Sequence, residues 1–142
     1  MSVCGAHIAS WLPTQSLRHQ HVSRLIIRQL HAHLSGSISR RCLHDIWLQK
    51  HSNSRRDEPD LQDPLIEMPE DKYDYDLETF FPLFSKYIYA LCNDASSILY
   101  STNSVLQSFH DDGVVYLELR TTPRAIPSAG ITKDDYVQLV LF

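Results

Sequence analysis

The sequence predicts an α/β chain forming the N-terminal part of a TIM-type (β/α)8 barrel. Three observations predict it. Two apolar stretches, Leu25 to Leu34 and Val114 to Thr121, have strand character, and the periodic segments between them are helical. Strands separated by helices call for a parallel sheet with right-handed crossovers. Two parallel strands need further neighbours to make a stable sheet, and a full barrel takes about 250 residues. With two of eight strands legible, the chain is expected to be the first quarter or third of one.

Residues 1–24 show little periodicity and are read as a poorly defined N-terminal extension; residues 25–142 are read as the first part of the barrel. In Leu25 to Leu34, Ile26, Ile27, Leu30 and Leu34 supply the apolar content of a buried strand. Ser35-Gly36-Ser37 is a turn signal. Ser39 is placed to cap a helix running to about Lys50, with Leu43, Ile46 and Trp47 on one face. Residues 51–76 are polar, acidic and punctuated by Pro59, Pro64 and Pro69, the composition of a loop or insertion. Helical spacing resumes from Leu77 to Leu91 through Phe80, Phe84, Tyr87, Ile88 and Leu91. Asp94 can cap a further helix whose stripe is Ile98, Val105, Leu106 and Phe109. Asp111-Asp112-Gly113 is turn chemistry ahead of the strand VVYLELRT. Pro123, Pro127 and Gly130 make a loop, and Thr132 caps a last amphipathic helix.

Composition narrows the function classes. Hydrophobic residues make up 43%, enough for a core, and the net charge of −4 lacks the basic footprint of a nucleic-acid partner. Five arginines precede the first acidic residue, Asp45. An acid-free, arginine-bearing start is one mark of organelle import, but this one has no amphipathic repeat. Cys4, Cys42 and Cys92 form neither a CxxC pair nor a disulfide framework, so reduced thiols and a cytoplasmic location are expected. No apolar run reaches the roughly 18 residues of a membrane span.

The chemistry-bearing feature is the pair His31 and His33. With 8 histidines in 142 residues, chance alone gives about 0.4 His-x-His pairs, and His19 with His21 is a second instance. Context separates the two. His31 and His33 end an apolar strand, where residues i and i+2 share a face. At the C-terminal end of a barrel strand that face opens on the ligand side, where two imidazoles can share one metal ion. The alternative is two hydrogen-bonded, inert histidines at a strand end.

LHAHLSGSIS resembles the signature of the adenosine deaminase family, approximately LHxHLxGS(I/L). The second strand agrees independently: DDGVVYLELRTTPR, residues 111–124, resembles the segment of the adenosine deaminase-like branch that ends in Ser/Thr-Thr-Pro-Arg. Gln29 stands where the family commonly has Glu. The resemblance covers residues 25–142 and implies a zinc-dependent hydrolytic deaminase of purine nucleosides or nucleotides, acting on N(6)-methyl-AMP to give IMP and monomeric when complete. It makes His31 and His33 zinc ligands, with His33 also against substrate. Ser35 stands at a substrate-contacting position where the family has Asn or Asp. Tyr89 falls near a helix position that holds His over the substrate in relatives; an aromatic helix–helix contact is the competing reading. Thr121, Thr122, Pro123 and Arg124 correspond to residues contacting a nucleoside monophosphate. Two hydroxyls and a guanidinium are a reasonable phosphate grip.

In the family the remaining zinc ligands and the acid–base residues lie further along, so no catalytic residue is expected within this chain, which is expected to be truncated and inactive alone. Two other classes compete. One is a non-catalytic short product acting as a binding or interaction protein through its uncovered strand edge. The other is a different metal-dependent hydrolase of the same barrel superfamily, which VVYLELRTTPR disfavours. Asp111-Asp112 is a turn rather than a carboxylate pair, Glu118 and Arg120 form a candidate polar layer inside the barrel, and His44, His51 and His110 are expected at the surface.

Overall fold

A computed structural model describes residues 27–53 and 61–141. The N-terminal extension, with Cys4, His19 and His21, and the strand residues Leu25 and Ile26 lie outside the described residues, as does Pro59.

Strand β1 (Ile27–His33) pairs in parallel with β2 (Val114–Arg120). The register sets Ala32 against Leu119 and His33 against Arg120, with an irregularity between Gln29 and Ala32. A parallel connection needs a long crossover. Here it runs through α1 (Leu34–Ser37), α2 (Arg40–Asn53), α3 (Pro64–Glu67), a broken helix and α6 (Ala95–Asp111). The broken helix comprises α4 (Leu77–Leu83), a π-helical turn Phe84–Ile88 and α5 (Tyr89–Leu91). After β2, a single 3-10 turn at Pro127–Ala129 leads to α7 (Lys133–Leu141). This is the predicted α/β order of parallel strands and helical crossovers.

Local chemistry fixes the helix starts. Ser39 caps α2 by accepting from the Cys42 amide at 3.1 Å. Asp94 and Ser97 form a capping box on α6, and Asp76 with Thr79 does the same for α4. Thr132 and Asp135 exchange equivalent bonds at the start of α7. Gly113, at φ +82°, takes the left-handed conformation that turns α6 into β2. Pro82 sits one residue before the end of α4 and removes a backbone donor there; the π turn follows directly.

The helices cover one face of the sheet. Leu34, Cys42, Leu43 and Ile46 pack against Tyr87, Ile88, Leu91 and Val105, with Leu119 of β2 on the same core. Burying each such Leu or Ile contributes about 1.5–3 kcal/mol. The α2 face is as expected, and Tyr87, Ile88 and Leu91 fill their predicted places. Two expectations need correction. Ile27 and Leu30 are 42% and 57% exposed, so β1 is buried only at its Ala32 end, where the helices reach. Leu106 is exposed, whereas Ser101 and Thr102 are buried. Both hydroxyls donate to the Ile98 carbonyl, so they enter the core without an orphaned polar group.

Residues 61–76 pack onto the helices. Pro64 and Met68 are buried. Arg40 donates to the Pro69 and Lys72 carbonyls, and Trp47 donates to the Leu61 carbonyl. His44 is half-buried, bonded to Asp63 at 2.8 Å, which corrects its expected surface position; His51 is exposed, its ring centroid 4.0 Å from that of Trp47. His110 is exposed. Among the described residues, no helix is long and apolar enough to cross a membrane.

Candidate functional site

The alternation of β1 separates two environments. Ala32 points to the helices and is buried; His31 and His33 are exposed on the opposite side. That side is the interior face in a barrel. Their Nε2 atoms stand 2.9 Å apart, with ring centroids at 5.0 Å and planes tilted by 36°. Two imidazole nitrogens converge on one small volume, as the i and i+2 spacing allows. The pair can share a proton, or both nitrogens can turn lone pairs onto one cation. Zinc–nitrogen bonds of about 2.0–2.1 Å put two tetrahedral ligands about 3.3–3.4 Å apart, so the rings need to open by only about half an ångström to fit. Among the described residues, no cluster of three or more His, Cys, Asp and Glu is assembled.

On β2 the exposed Glu118 and Arg120 alternate with the half-buried Leu117 and Leu119, of which Leu119 packs on the helices, and the Tyr116 hydroxyl donates to Glu118 at 3.0 Å. Because His33 pairs with Arg120, the histidine pair and Thr121 to Arg124 lie at the same end of the sheet.

A second cluster forms at that end. Arg124 leaves the loop after β2 and donates from Nη2 to the Cys92 carbonyl at 2.8 Å. This satisfies a carbonyl at the α5 C-terminus, where helix carbonyls lack partners. The guanidinium carbon lies 4.5 Å from the centre of the Tyr89 ring and 5.8 Å from that of Tyr136. Thr121 Oγ1 lies 3.3 Å from the Tyr136 hydroxyl. Burial pushes the Cys92 thiol above its ordinary range, against smaller opposing effects of Ser101 and Arg124.

Of the sequence-predicted residues, the structure thus brings His31 to His33, and Arg124 to Tyr89. Thr121 joins the latter group through Tyr136. Ser35 is half-buried in α1, two residues beyond His33; Thr122 is exposed and Pro123 half-buried. Among the described residues neither Ser35 nor Thr122 hydrogen-bonds to another member of the set. Tyr89 sits at the junction of the π turn and α5, 42% exposed, rather than in a buried helix–helix contact. Tyr136 was not legible as a site residue: its only sequence signal is a place on the apolar stripe of α7.

The adenosine deaminase family model matches residues 27–142. N6-Methyl-AMP deaminase of Homo sapiens is 39% identical over 115 residues, covering 80% of this chain and 30% of that protein. N6-Methyl-AMP deaminase-L of Xenopus laevis is 41% identical over 113 residues, covering the same shares. Among solved structures, Arabidopsis N6-mAMP deaminase MAPDA superposes with a TM-score of 0.65 at 32% identity, over 83% of this chain and 34% of that one. Arabidopsis ADAL complexed with GMP gives 0.66 at 32% identity, over 82% and 32%. The chain spans about a third of the length of these relatives and has the fold of the corresponding part of their TIM-type barrel. It belongs to the adenosine deaminase family.

Proposed function

We propose that this chain carries the nucleotide-gripping and first metal-ligating residues of a zinc-dependent N(6)-methyl-AMP deaminase. The reaction adds water to N(6)-methyl-AMP and releases IMP and methylamine. The observation that carries the reading is the placement of the Nε2 pair of His31 and His33 at the same sheet end as the Thr121–Arg124 cluster.

His31 and His33 would hold the zinc, whose chemistry when bound is Lewis-acid activation of the attacking water. Thr121 and Thr122 donate hydroxyl hydrogens to the phosphate. The Arg124 guanidinium supplies charge and a directed fork of donors. Pro123 fixes the bend between them. Tyr89, whose ring lies under the Arg124 guanidinium, forms the wall beside the phosphate, and His33 and Ser35 lie toward the base and sugar. A nucleotide is favoured over a nucleoside because three of these groups suit an anion. Related structures hold nucleotides too, GMP in one and IMP in another. The free thiols of Cys42 and Cys92 suit a reducing, cytoplasmic compartment.

A catalytic zinc takes three protein ligands and a water. Among the described residues two imidazoles fall short, so the 142-residue chain alone is expected to bind nucleotide without turning it over. Methylamine release from N(6)-methyl-AMP, assayed with added zinc, tests this. No release is expected; release that disappears in His31→Ala would show that the chain completes the site itself. Absence of nucleotide binding would overturn the reading.

A further inference from the structure

We propose that Tyr136 is a positioning residue for the phosphate grip, aiming the Thr121 hydroxyl and confining the Arg124 guanidinium before any ligand arrives. This rests on the reading of Thr121, Thr122 and Arg124 as that grip.

Tyr136 is held where it is by features independent of a ligand. Its side chain is buried in a small core with Ile98, Ile126 and Ile131. Ile126 and Ile131 close the loop between them with paired backbone bonds of 2.8 and 3.1 Å, and Gly130 at φ +69° makes the turn possible. The cap formed by Thr132 and Asp135 then starts α7, so that Tyr136 lies one turn into the helix. Loop, cap and core together fix the phenol beside the end of β2.

The hydrogen-bond inventory gives that position a consequence. The Tyr136 hydroxyl is 3.3 Å from Thr121 Oγ1, and either can donate. A phosphate oxygen only accepts, so Thr121 must donate its single hydrogen to the ligand. It can do so while accepting from Tyr136. The phenol thereby sets the direction of the Thr121 hydroxyl and polarises it toward the anion. The Tyr136 ring at 5.8 Å and the Tyr89 ring at 4.5 Å both lie against the guanidinium, while the Cys92 carbonyl holds Nη2. A guanidinium confined in this way loses little further freedom on binding, which is how preorganisation raises affinity.

The test compares wild type, Tyr136→Phe and Tyr136→Leu of the 142-residue chain, titrated with AMP and with adenosine. Binding is followed by NMR shifts of the Thr121 amide and the Arg124 side chain. Thermal unfolding of each variant reports its fold separately. Removing one hydrogen bond is expected to weaken AMP binding about fivefold in Tyr136→Phe, with adenosine binding unchanged. Tyr136→Leu should weaken it further and broaden the Arg124 signal. In Tyr136→Phe combined with Thr121→Val, the two effects should be less than additive. A buried tyrosine serving only the core would lower thermal stability without moving the AMP-to-adenosine ratio. That result, in a wild type that prefers AMP, overturns the role of Tyr136 alone. A wild type with no preference for AMP overturns the phosphate reading itself, and the role of Tyr136 with it.

Discussion

The Arg124 guanidinium lies over the Tyr89 ring, with its carbon 4.5 Å from the ring centre, and is anchored on the Cys92 carbonyl. One contact is the attraction of a cation to a ring face and the other is a hydrogen bond from Nη2. A guanidinium offers both together. The end of the broken helix and the loop after β2 are thereby joined at the place where a ligand phosphate is expected.

Arg124→Lys should therefore behave as a loss despite conserving charge. An ammonium lacks the planar fork that can meet the carbonyl, the ring and an anion at once. AMP affinity is expected to fall about tenfold, or about 1.4 kcal/mol, with adenosine binding unchanged. Calorimetric titration of both ligands measures it. Equal AMP affinity in the two proteins would show that Arg124 contributes only its charge.

Much of this arrangement was legible in the sequence because it rests on short-range periodicity. His31 and His33 share a face through strand alternation alone, and Ser39, Asp94 and Thr132 announce their caps within four residues. The contact of Arg124 with Tyr89 depends on how the broken helix meets the loop after β2, which no local pattern specifies; only the family resemblance pointed there. Tyr136 depends on a further non-local feature, the Ile126–Ile131 bridge. The error at Leu106 has a different cause. Apolar spacing put Leu106 on the buried stripe, but Ser101 and Thr102 bond to the Ile98 carbonyl and take the buried face instead.

Asp94 links helix capping to acid sensitivity. Its carboxylate accepts from the Ser97 amide at 2.8 Å and is paired with Lys50. Burial pushes its pKa up, but the bonds from Lys50 and Ser97 outweigh this and hold it below the usual carboxylate value. A depressed folded value means the stabilisation is complete above the unfolded value of about 3.9 and is lost as pH falls through the folded one. Asp94→Asn keeps a capping oxygen and removes the charge. Urea unfolding should show wild type more stable at pH 7, and the difference should shrink toward pH 3. A difference independent of pH would contradict this assignment.

Cys42 should be chemically silent in the folded chain. It is 2% exposed, and burial pushes its thiol up to about 12, with a smaller opposing bond to Ser104. The thiolate is the reactive form. Iodoacetamide at pH 8, read by peptide mass spectrometry, should label Cys42 only as fast as the protein opens, and labelling should accelerate sharply in urea. Rapid labelling under native conditions would mean that the core around Leu43 and Ile46 is open.

The most direct test of the central claim is to follow the imidazole nitrogens of His31 and His33 by NMR while zinc is added. The Nε2 signals of both residues should shift together and saturate at one zinc per chain, and His31→Ala or His33→Ala should abolish that saturable site. Zinc binding unchanged in either variant, or Nε2 signals that do not respond to zinc, would contradict a metal site at the end of β1.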